Sequence, residues 1–344
     1  MKKLLSAIFC IFLFGGCAIS KQSELDVLTL FSTKSYTSNK AWVGTFQLVW
    51  NDMKNNIIGH DIKFLGEKPT SELNGLNAEE FNSSMLNEAS YYTSYGKTSP
   101  SAKEKIEKDI YRKFEEKSDI LDNADWSEGK GKYYAYAMLK KEFEFIEEFD
   151  ELDKSAFNKK GEFKYFGINE KSSDKLDNNV QVLFYSNKND FAVQLLTVNN
   201  DVVYLYRTNS NASFDKIYEK MMAKAEKYEG EREFAKKDTI KVPSLKINEM
   251  RKYPTLTNKT IEGTENLYFS EAIETLQLEL DNKGGKVKSE ALLMTKCNLI
   301  PPSETKTPRH FDFDRTFVMF LVDSGKENPY LALRVKDLSA FQKK

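Results

Sequence analysis

The spacing of apolar residues changes about a third of the way along the chain. In the first part, apolar residues recur every three or four positions, which is typical of helices that bury one face. We predict such helices over residues 41–53, 77–92 and 101–122. In the last of these, Ile106, Ile110 and Phe114 form an apolar stripe, and Lys and Glu residues cover the remaining, solvated face.

Beyond a Gly-Lys-Gly turn signal at residues 129–131, short apolar runs and alternations bounded by turn residues predict β-strands. One helix is predicted in this part, over residues 213–228, where Ser213 is a suitable N-cap. Strands are predicted over residues 133–139, 141–145, 157–168 with a turn at 159–161, 180–185, 191–196, 202–206, 239–247, 272–280, 317–322 and 330–335. The pattern therefore predicts the α+β class, with a helical N-terminal half and a strand-rich C-terminal half.

The start of the chain has the pattern of an export signal. Two lysines precede the apolar run 4–14, which is shorter than the about 20 residues of a membrane-spanning helix but within the about 7–15 residues typical of a secretory signal. Two glycines then precede Cys17, and the whole resembles a bacterial lipoprotein signal, in which the cysteine becomes the lipidated first residue. Phe14 stands where the usual pattern prefers Leu.

This resemblance predicts a signal peptide over residues 1–16, a lipid-anchored tether over residues 17–39 and one folded domain over residues 40–344. The protein is then expected to be exported and attached through Cys17 to the outer face of a bacterial membrane. The alternative is an ordinary secretory signal with an incidental cysteine, which would leave a Cys17–Cys297 disulfide open. With a lipid on Cys17, Cys297 is the one remaining cysteine of the mature chain.

Composition narrows the possible functions. The 344 residues include 51 Lys and Arg against 52 Asp and Glu, so there is no bulk positive field of the kind that nucleic-acid binders use. Only two histidines and three cysteines occur, and no dinucleotide, Walker, zinc-protease or nucleophile-elbow motif is present. We therefore expect no catalytic residues, metal or cofactor, no nucleic-acid partner, and a protein that is not an enzyme.

One histidine lies close to two aspartates, in the segment 309–315. On a strand, His310, Asp312 and Asp314 would share one face, opposite Phe311, Phe313 and Arg315. This alternation favours a solvent-exposed face over a catalytic site.

Several segments between residues 134 and 341 resemble, in the same order, segments of the serpin family of protease inhibitors. They are the hairpin 180–196, the helix 213–222, the strand Val242-Pro243-Ser244-Leu245-Lys246-Ile247, the segment 278–284, and Phe311-x-Phe313-Asp314-Arg315-x-Phe317 followed by Phe320-Leu321. The last is the most specific, since it is similar to the family ending F-x-x-D-R-P-F-x-F. Three positions depart from the family: Asn282 replaces Glu, Thr316 replaces Pro and Leu333 replaces Gly. The helical first half is also shorter than in typical serpins.

The resemblance implies a serpin-like domain with a large mixed or antiparallel sheet and an exposed reactive-type loop over residues 285–308. In inhibitory serpins a protease cleaves this loop and forms an acyl-enzyme. The severed loop then inserts into the sheet as a new strand and traps the protease. The loop must therefore tolerate burial of every second side chain.

The segment after Gly284 partly meets this requirement. Every second residue from Gly285 is small or apolar, and the charged residues lie between them. The predicted inward-facing residues are Gly285, Val287, Ser289, Ala291 and Leu293, and the predicted loop hinge is Gly284, Gly285, Val287, Ser289 and Ala291. Val287, Lys288 and Glu290 interrupt the run of small residues found in inhibitory members. The family pattern, placed without gaps, puts the reactive bond at Asn298–Leu299, although Lys296 would suit a trypsin-like protease.

Three functions are compatible with this reading. The first is inhibition of an extracellular serine or cysteine protease by a monomeric, membrane-attached protein. The second is a non-inhibitory serpin-fold lipoprotein that binds a ligand or partner protein at the cell surface. The third, a secreted enzyme, would need a polar cluster that the sequence does not offer.

Overall fold

The computed structural model of the protein describes residues 25–286 and 307–342. Its helices in these ranges are α1 (Thr45–Asp52), α2 (Ser71–Asn77), α3 (Pro100–Phe114) and α4 (Phe214–Glu226). α1 continues directly into a π-helical turn, Met53–Ile58. α3 begins where the sequence provides an N-cap, because the Ser99 side chain accepts a hydrogen bond from the Ala102 backbone and Pro100 occupies the first turn.

The strands account for most of the remaining regular structure. They are β1 (Leu25–Leu28), β2 (Asn39–Val43), β3 (Tyr91–Lys97), β4 (Tyr133–Leu139), β5 (Phe143–Glu144), β6 (Asp150–Phe157), β7 (Lys160–Ile168), β8 (Val180–Asn187), β9 (Asp190–Leu196), β10 (Val202–Arg207), β11 (Thr239–Pro243), β12 (Leu245–Lys252), β13 (Ile273–Leu280), β14 (Gly284–Lys286), β15 (His310–Asp312), β16 (Phe317–Val322) and β17 (Pro329–Val335).

The largest sheet has seven strands in the order β1-β2-β17-β16-β10-β9-β8. All neighbours are antiparallel except β1 and β2. Every residue of β16 and β17 is buried, which explains why both read in the sequence as continuous apolar runs instead of alternations. This sheet forms the centre of the main hydrophobic core, with the apolar face of α4 packed against it through Phe214 and Phe320.

Three smaller sheets complete the fold. Two have four strands, in the orders β15-β11-β7-β6 and β12-β13-β14-β5, and the third is the pair β3-β4. α3 packs on the β3-β4 pair through Ile106, Ile110 and Tyr136. Helices and mainly antiparallel sheets in one chain confirm the predicted α+β class.

The prediction of a helical N-terminal half is only partly correct. Residues 41–53 do not form one helix: β2 ends at Val43 and α1 begins at Thr45, with Gly44 between them. β2 is buried on both faces, so its apolar run extends the helical pattern without being helical. Residues 77–92 were also predicted wrongly, because Asn82 accepts a hydrogen bond from the Ser84 backbone and stabilises a short turn that a helix would not allow.

Two predicted boundaries also differ from the structure. Leu25–Leu28 pairs with β2 as the edge strand of the seven-stranded sheet, so the folded domain begins before residue 40 and includes part of the predicted tether. The predicted strand 239–247 is divided at Ser244 into β11 and β12, which belong to different sheets. Pro243 ends β11, in keeping with the restriction that proline places on strand pairing.

Candidate functional site

β14 is the start of the segment that the sequence singled out. It lies between β13 and β5 in the interior of a four-stranded sheet. Gly285 is paired with Leu280 on one side and with Phe143 on the other, and Gly284 is paired with Glu144. The chain therefore turns back on itself after β13 and becomes the next strand of the same sheet.

Both glycines of β14 are required by close packing. Gly284 has φ +152°, and a Cβ atom there would lie 2.0 Å from the carbonyl oxygen of Phe143. At Gly285 a Cβ atom would lie 2.3 Å from the Phe143 ring. A larger residue at either position would force the two strands apart.

The turn between β13 and β14 is tied to the segment that follows β5. The backbone N–H groups of Phe145 and Phe149 donate to the carbonyl oxygens of Lys283 and Asn282, each at 2.9 Å. The Asn282 side chain, which stands where serpins usually have Glu, donates to Glu148 Oε1 at 2.7 Å. These bonds hold the turn at Asn282 and Lys283. They do not involve Lys286, at the other end of β14.

Two strand edges continue beyond the end of β14. As far as the structure describes β14, β13 pairs with it at Glu279 and Leu280, whereas it pairs with β12 along its full length. β4 leads into β5 after residues 140–142 and, within the described residues, pairs only with β3. β4 and β13 both pack against α1. Continued beyond Lys286, β14 would run between β4 and β13, and we call that place the open strand position. Among residues 25–286 and 307–342, no other strand pairs there with β13 or with the second edge of β4.

A buried ion cluster lies where β4 leads into β5. The Lys141 ammonium donates to both Asp201 and Asp323, and all three side chains are buried. Asp323 also accepts from the Asn87 backbone at 2.9 Å and from the Asn87 side chain at 2.8 Å. Burial raises the pKa of Asp201; burial also opposes ionisation of Asp323, but the hydrogen bonds from Asn87 and Lys141 lower its pKa overall. The cluster joins this connection to the β9–β10 and β16–β17 turns, which lie at the same end of the large sheet because Val202 pairs with Val322.

A buried carboxylate of another kind lies near the other end of β13. Glu274 accepts hydrogen bonds from Thr45 Oγ1 at 2.8 Å and from the Phe46 backbone at 3.0 Å, both at the start of α1. Its second oxygen accepts from the Tyr253 hydroxyl at 2.7 Å. No basic side chain of the described residues forms an ion pair with it, and burial raises the pKa of Glu274 to about 7.

Arg309, near the start of the described range 307–342, holds the chain firmly against the body of the protein. Arg309 forms an ion pair with buried Asp238: Nε and Nη2 both donate to Oδ2, the former at 3.0 Å, and the Arg309 backbone N–H donates to Oδ1 at 2.8 Å. Its Nη1 also donates to the carbonyl of Glu231 at 2.7 Å. Next to it, His310 Nδ1 lies 2.8 Å from Thr239 Oγ1. This end is therefore attached to the body through a charged side chain.

The solvent face predicted around His310 is correct along β15, but Arg315, predicted on the opposite face, is exposed because the strand ends at Asp312. His310 is exposed, while Phe311 and Phe313 are fully buried. Asp314 forms an ion pair with buried Arg207 at 3.1 Å, a structural partner that the sequence pattern did not reveal.

Of the predicted site residues, the structure describes Gly284 and Gly285. Those that lie outside the described residues are Cys17, Val287, Ser289, Ala291, Asn298 and Leu299. Sequence reasoning missed Lys141 and Glu274. Two sequence signals were available. Lys141 lies inside a predicted buried strand, and Glu274 lies within the apolar alternation of β13, where charged residues are rare unless they are paired.

Two searches within residues 25–286 and 307–342 were negative. No cluster of three or more His, Cys, Asp or Glu residues is arranged to hold a metal ion there. None of the helices in these ranges is both long and apolar enough to cross a membrane.

Comparison with known proteins gives distant structural likenesses. No protein-family model and no curated protein matches the chain. The chain is similar to Serpin48, a highly specific serpin of the insect Tenebrio molitor, with 12% identity over 88% of this chain and 75% of that chain and a TM-score of 0.39. It is also similar to thyroxine-binding globulin in its complex with thyroxine, with 13% identity over 68% of this chain and 64% of that chain and a TM-score of 0.42. The chain thus spans less than two thirds of that second protein.

Proposed function

We propose that this protein is a serpin-like inhibitor of an extracellular serine or cysteine protease, acting by cleavage and insertion of the loop 285–308. The observation that carries the proposal is the position of β14. Gly284 to Lys286 already form an interior strand between β13 and β5. Insertion would extend this strand into the open strand position and pair it on both sides, which is favourable because it satisfies two rows of backbone groups.

The alternation of the loop fits this extension. Gly285 is buried against Phe143 and Lys286 is exposed, so the register of β14 is known at its last two residues. Continued in the same register, Val287, Ser289 and Ala291 would face inward, and Lys288 and Glu290 would face solvent. The inward set is small or apolar and the outward set is charged, as an inserted strand requires.

The proposal is tested by incubating the protein with a panel of serine and cysteine proteases. We expect one of them to form a complex that survives SDS, and we expect the loop-cleaved protein to melt at a higher temperature than the intact one. Cleavage without a complex and without a rise in melting temperature would contradict the proposal.

A matched pair of substitutions separates insertion from simple cleavage. Ser289→Glu would bury a charge in the inserted strand, whereas Lys288→Glu would leave a charge in solvent. We expect Ser289→Glu to abolish complex formation while cleavage continues, and Lys288→Glu to retain the complex. Equal effects of the two variants would argue against the inward and outward assignment.

The interrupted run of small residues favours a second candidate. Slow insertion past Val287, Lys288 and Glu290 would let the protease complete hydrolysis. The protein would then be a non-inhibitory serpin-fold lipoprotein that binds a ligand or partner protein at the cell surface. Loop cleavage by every active protease with no SDS-stable complex would support this candidate.

Attachment to a bacterial membrane through Cys17 is a separate part of the proposal. It rests on the basic start, the short apolar run and the small residues before the cysteine. Mass spectrometry of the mature N-terminus should show a lipidated Cys17, and Cys17→Ser should move the protein from the membrane fraction to the soluble fraction. An unmodified N-terminus at another residue would contradict it.

A further inference from the structure

Glu274 occupies an unusual position for a carboxylate. It is the second residue of β13, one of the two strands that border the open strand position, and its side chain points to the buried face of the sheet. Both of its oxygens are occupied by hydrogen bonds from neutral donors. Two of these donors belong to the start of α1, so the carboxylate joins β13 directly to the helix beneath it.

The contact is more than ordinary core packing. α1 packs against both β4 and β13, the two borders of the open strand position. In the insertion proposed above, β13 would shift relative to α1 to admit a strand between itself and β4. Glu274 is the polar contact that such a shift must break, because its partners Thr45 and Phe46 would stay with the helix.

The surrounding charges are few. Arg251 faces Glu274 across the β12–β13 pair on the same face of the sheet, but it forms an ion pair with Asp26 at 3.3 Å. Glu72 acts on Tyr253, whose pKa is raised well above its usual value by burial and by the nearby Glu274. Tyr253 therefore stays protonated and remains a donor throughout the neutral range.

We propose that Glu274 is a pH-dependent latch that holds β13 against α1 when it is protonated and releases β13 more readily when it is ionised. This proposal deepens the proposed function. It rests on that function only in assuming that release of β13 serves insertion of the loop. An ionised carboxylate gains far more from water than a neutral carboxyl does, so opening the contact relieves more free energy in the ionised form.

The direction follows from the two states. In the closed state burial raises the pKa of Glu274 to about 7, and in an opened, hydrated state it would return towards its usual 4.5. The opening equilibrium therefore becomes more favourable as pH rises from about 5 to 7 and levels off above that. The same reasoning predicts that this group makes the folded protein more stable as pH falls through this window.

The experiment is hydrogen exchange of the intact full-length protein between pH 5 and 8, expressed as protection factors so that the chemical pH dependence is removed. We expect the protection of residues 273–278 to fall on the order of a hundredfold over this range, since each unit of pKa difference is a factor of ten. Glu274→Gln should be protected equally at all pH values. The matched control Glu279→Gln, on the same strand but partly exposed in an ion pair with Lys246, should follow the wild type.

A second variant keeps the test valid if Glu274→Gln does not fold. Tyr253→Phe removes one donor to the carboxylate and should move the midpoint of the transition to higher pH. Protection that does not vary with pH in the wild type, or that varies equally in Glu274→Gln, would overturn the proposal. Failure of the proposed function would be seen separately, as no rise in melting temperature after loop cleavage at any pH.

Discussion

The two ends of the segment 287–306 are attached to the body in different ways. Before it, β14 is held by backbone pairing to β13 and β5 and by the close fit of two glycines, and it forms no ion pair with another described residue. After it, Arg309 is fixed by an ion pair with two hydrogen bonds to buried Asp238 and by bonds to backbone carbonyls. The first attachment can be extended residue by residue, whereas the second is a fixed point.

This difference matters for a loop that would become a strand. Insertion has to start at one end and proceed along the sheet, and pairing of successive residues costs little reorganisation at an end already built as a strand. The opposite end must stay attached to the body, so that after cleavage the part of the loop that follows β14 can move away from the part that precedes Arg309. The arrangement therefore favours insertion from Gly284 onwards, and the following substitutions test each attachment in order of expected effect.

We expect the largest effect from Lys141→Ala. Lys141 lies beside β5, the strand against which β14 pairs, and its removal would leave Asp201 and Asp323 close together and buried. Loss of one partner from a buried ion cluster typically costs about 3–5 kcal/mol. Urea unfolding should show a loss of this size. A loss under about 1 kcal/mol would mean that the carboxylates find water or protonate at little cost.

Arg309→Ala should have the next largest effect. It leaves Asp238 buried without its cation, although Arg309 itself is partly exposed, so we expect about 3 kcal/mol, at the low end of the range for broken buried pairs. A double-mutant cycle with Asp238→Ala isolates the pair. The two substitutions should together cost much less than their sum. Simple additivity would show that the ion pair does not fix this end.

Gly284→Ala should cost about 1–3 kcal/mol, because its Cβ would collide with the Phe143 carbonyl and strain the backbone. The control is Gly325→Ala in the β16–β17 turn, which also has a positive φ but has open space around the site of the Cβ. In the control, the free energy of unfolding should fall by about 1 kcal/mol, because only the positive φ disfavours alanine there. Equal losses would mean that close packing at β14 is not what requires glycine.

The contrast between the two ends also shows what the sequence could reveal. The sequence singles out Gly284 and Gly285, which lie in β14, through a local glycine pair; their role as a loop hinge stays a prediction. The β16–β17 hairpin and α4 are predicted within one or two residues because their patterns are continuous. The ion cluster could not be predicted, since Lys141 lies 60 residues from Asp201 and 182 from Asp323. Glu274 and Thr45 are 229 residues apart. Such contacts depend on topology, which no local periodicity encodes.

The smallest effect is expected from Lys246→Gln. Lys246 on β12 pairs with Glu279 on β13, whose neighbour on the other side is Lys286 at the end of β14, but the side chains of the ion pair are 71% and 42% exposed. Exposed ion pairs contribute between about 0 and 1 kcal/mol, because solvent screens them and ordering two long side chains costs entropy. Urea unfolding should therefore change by less than about 1 kcal/mol, and less still at high salt. A larger loss would mean that charge across β12 and β13, and not backbone pairing alone, supports the end of the sheet from which insertion would proceed.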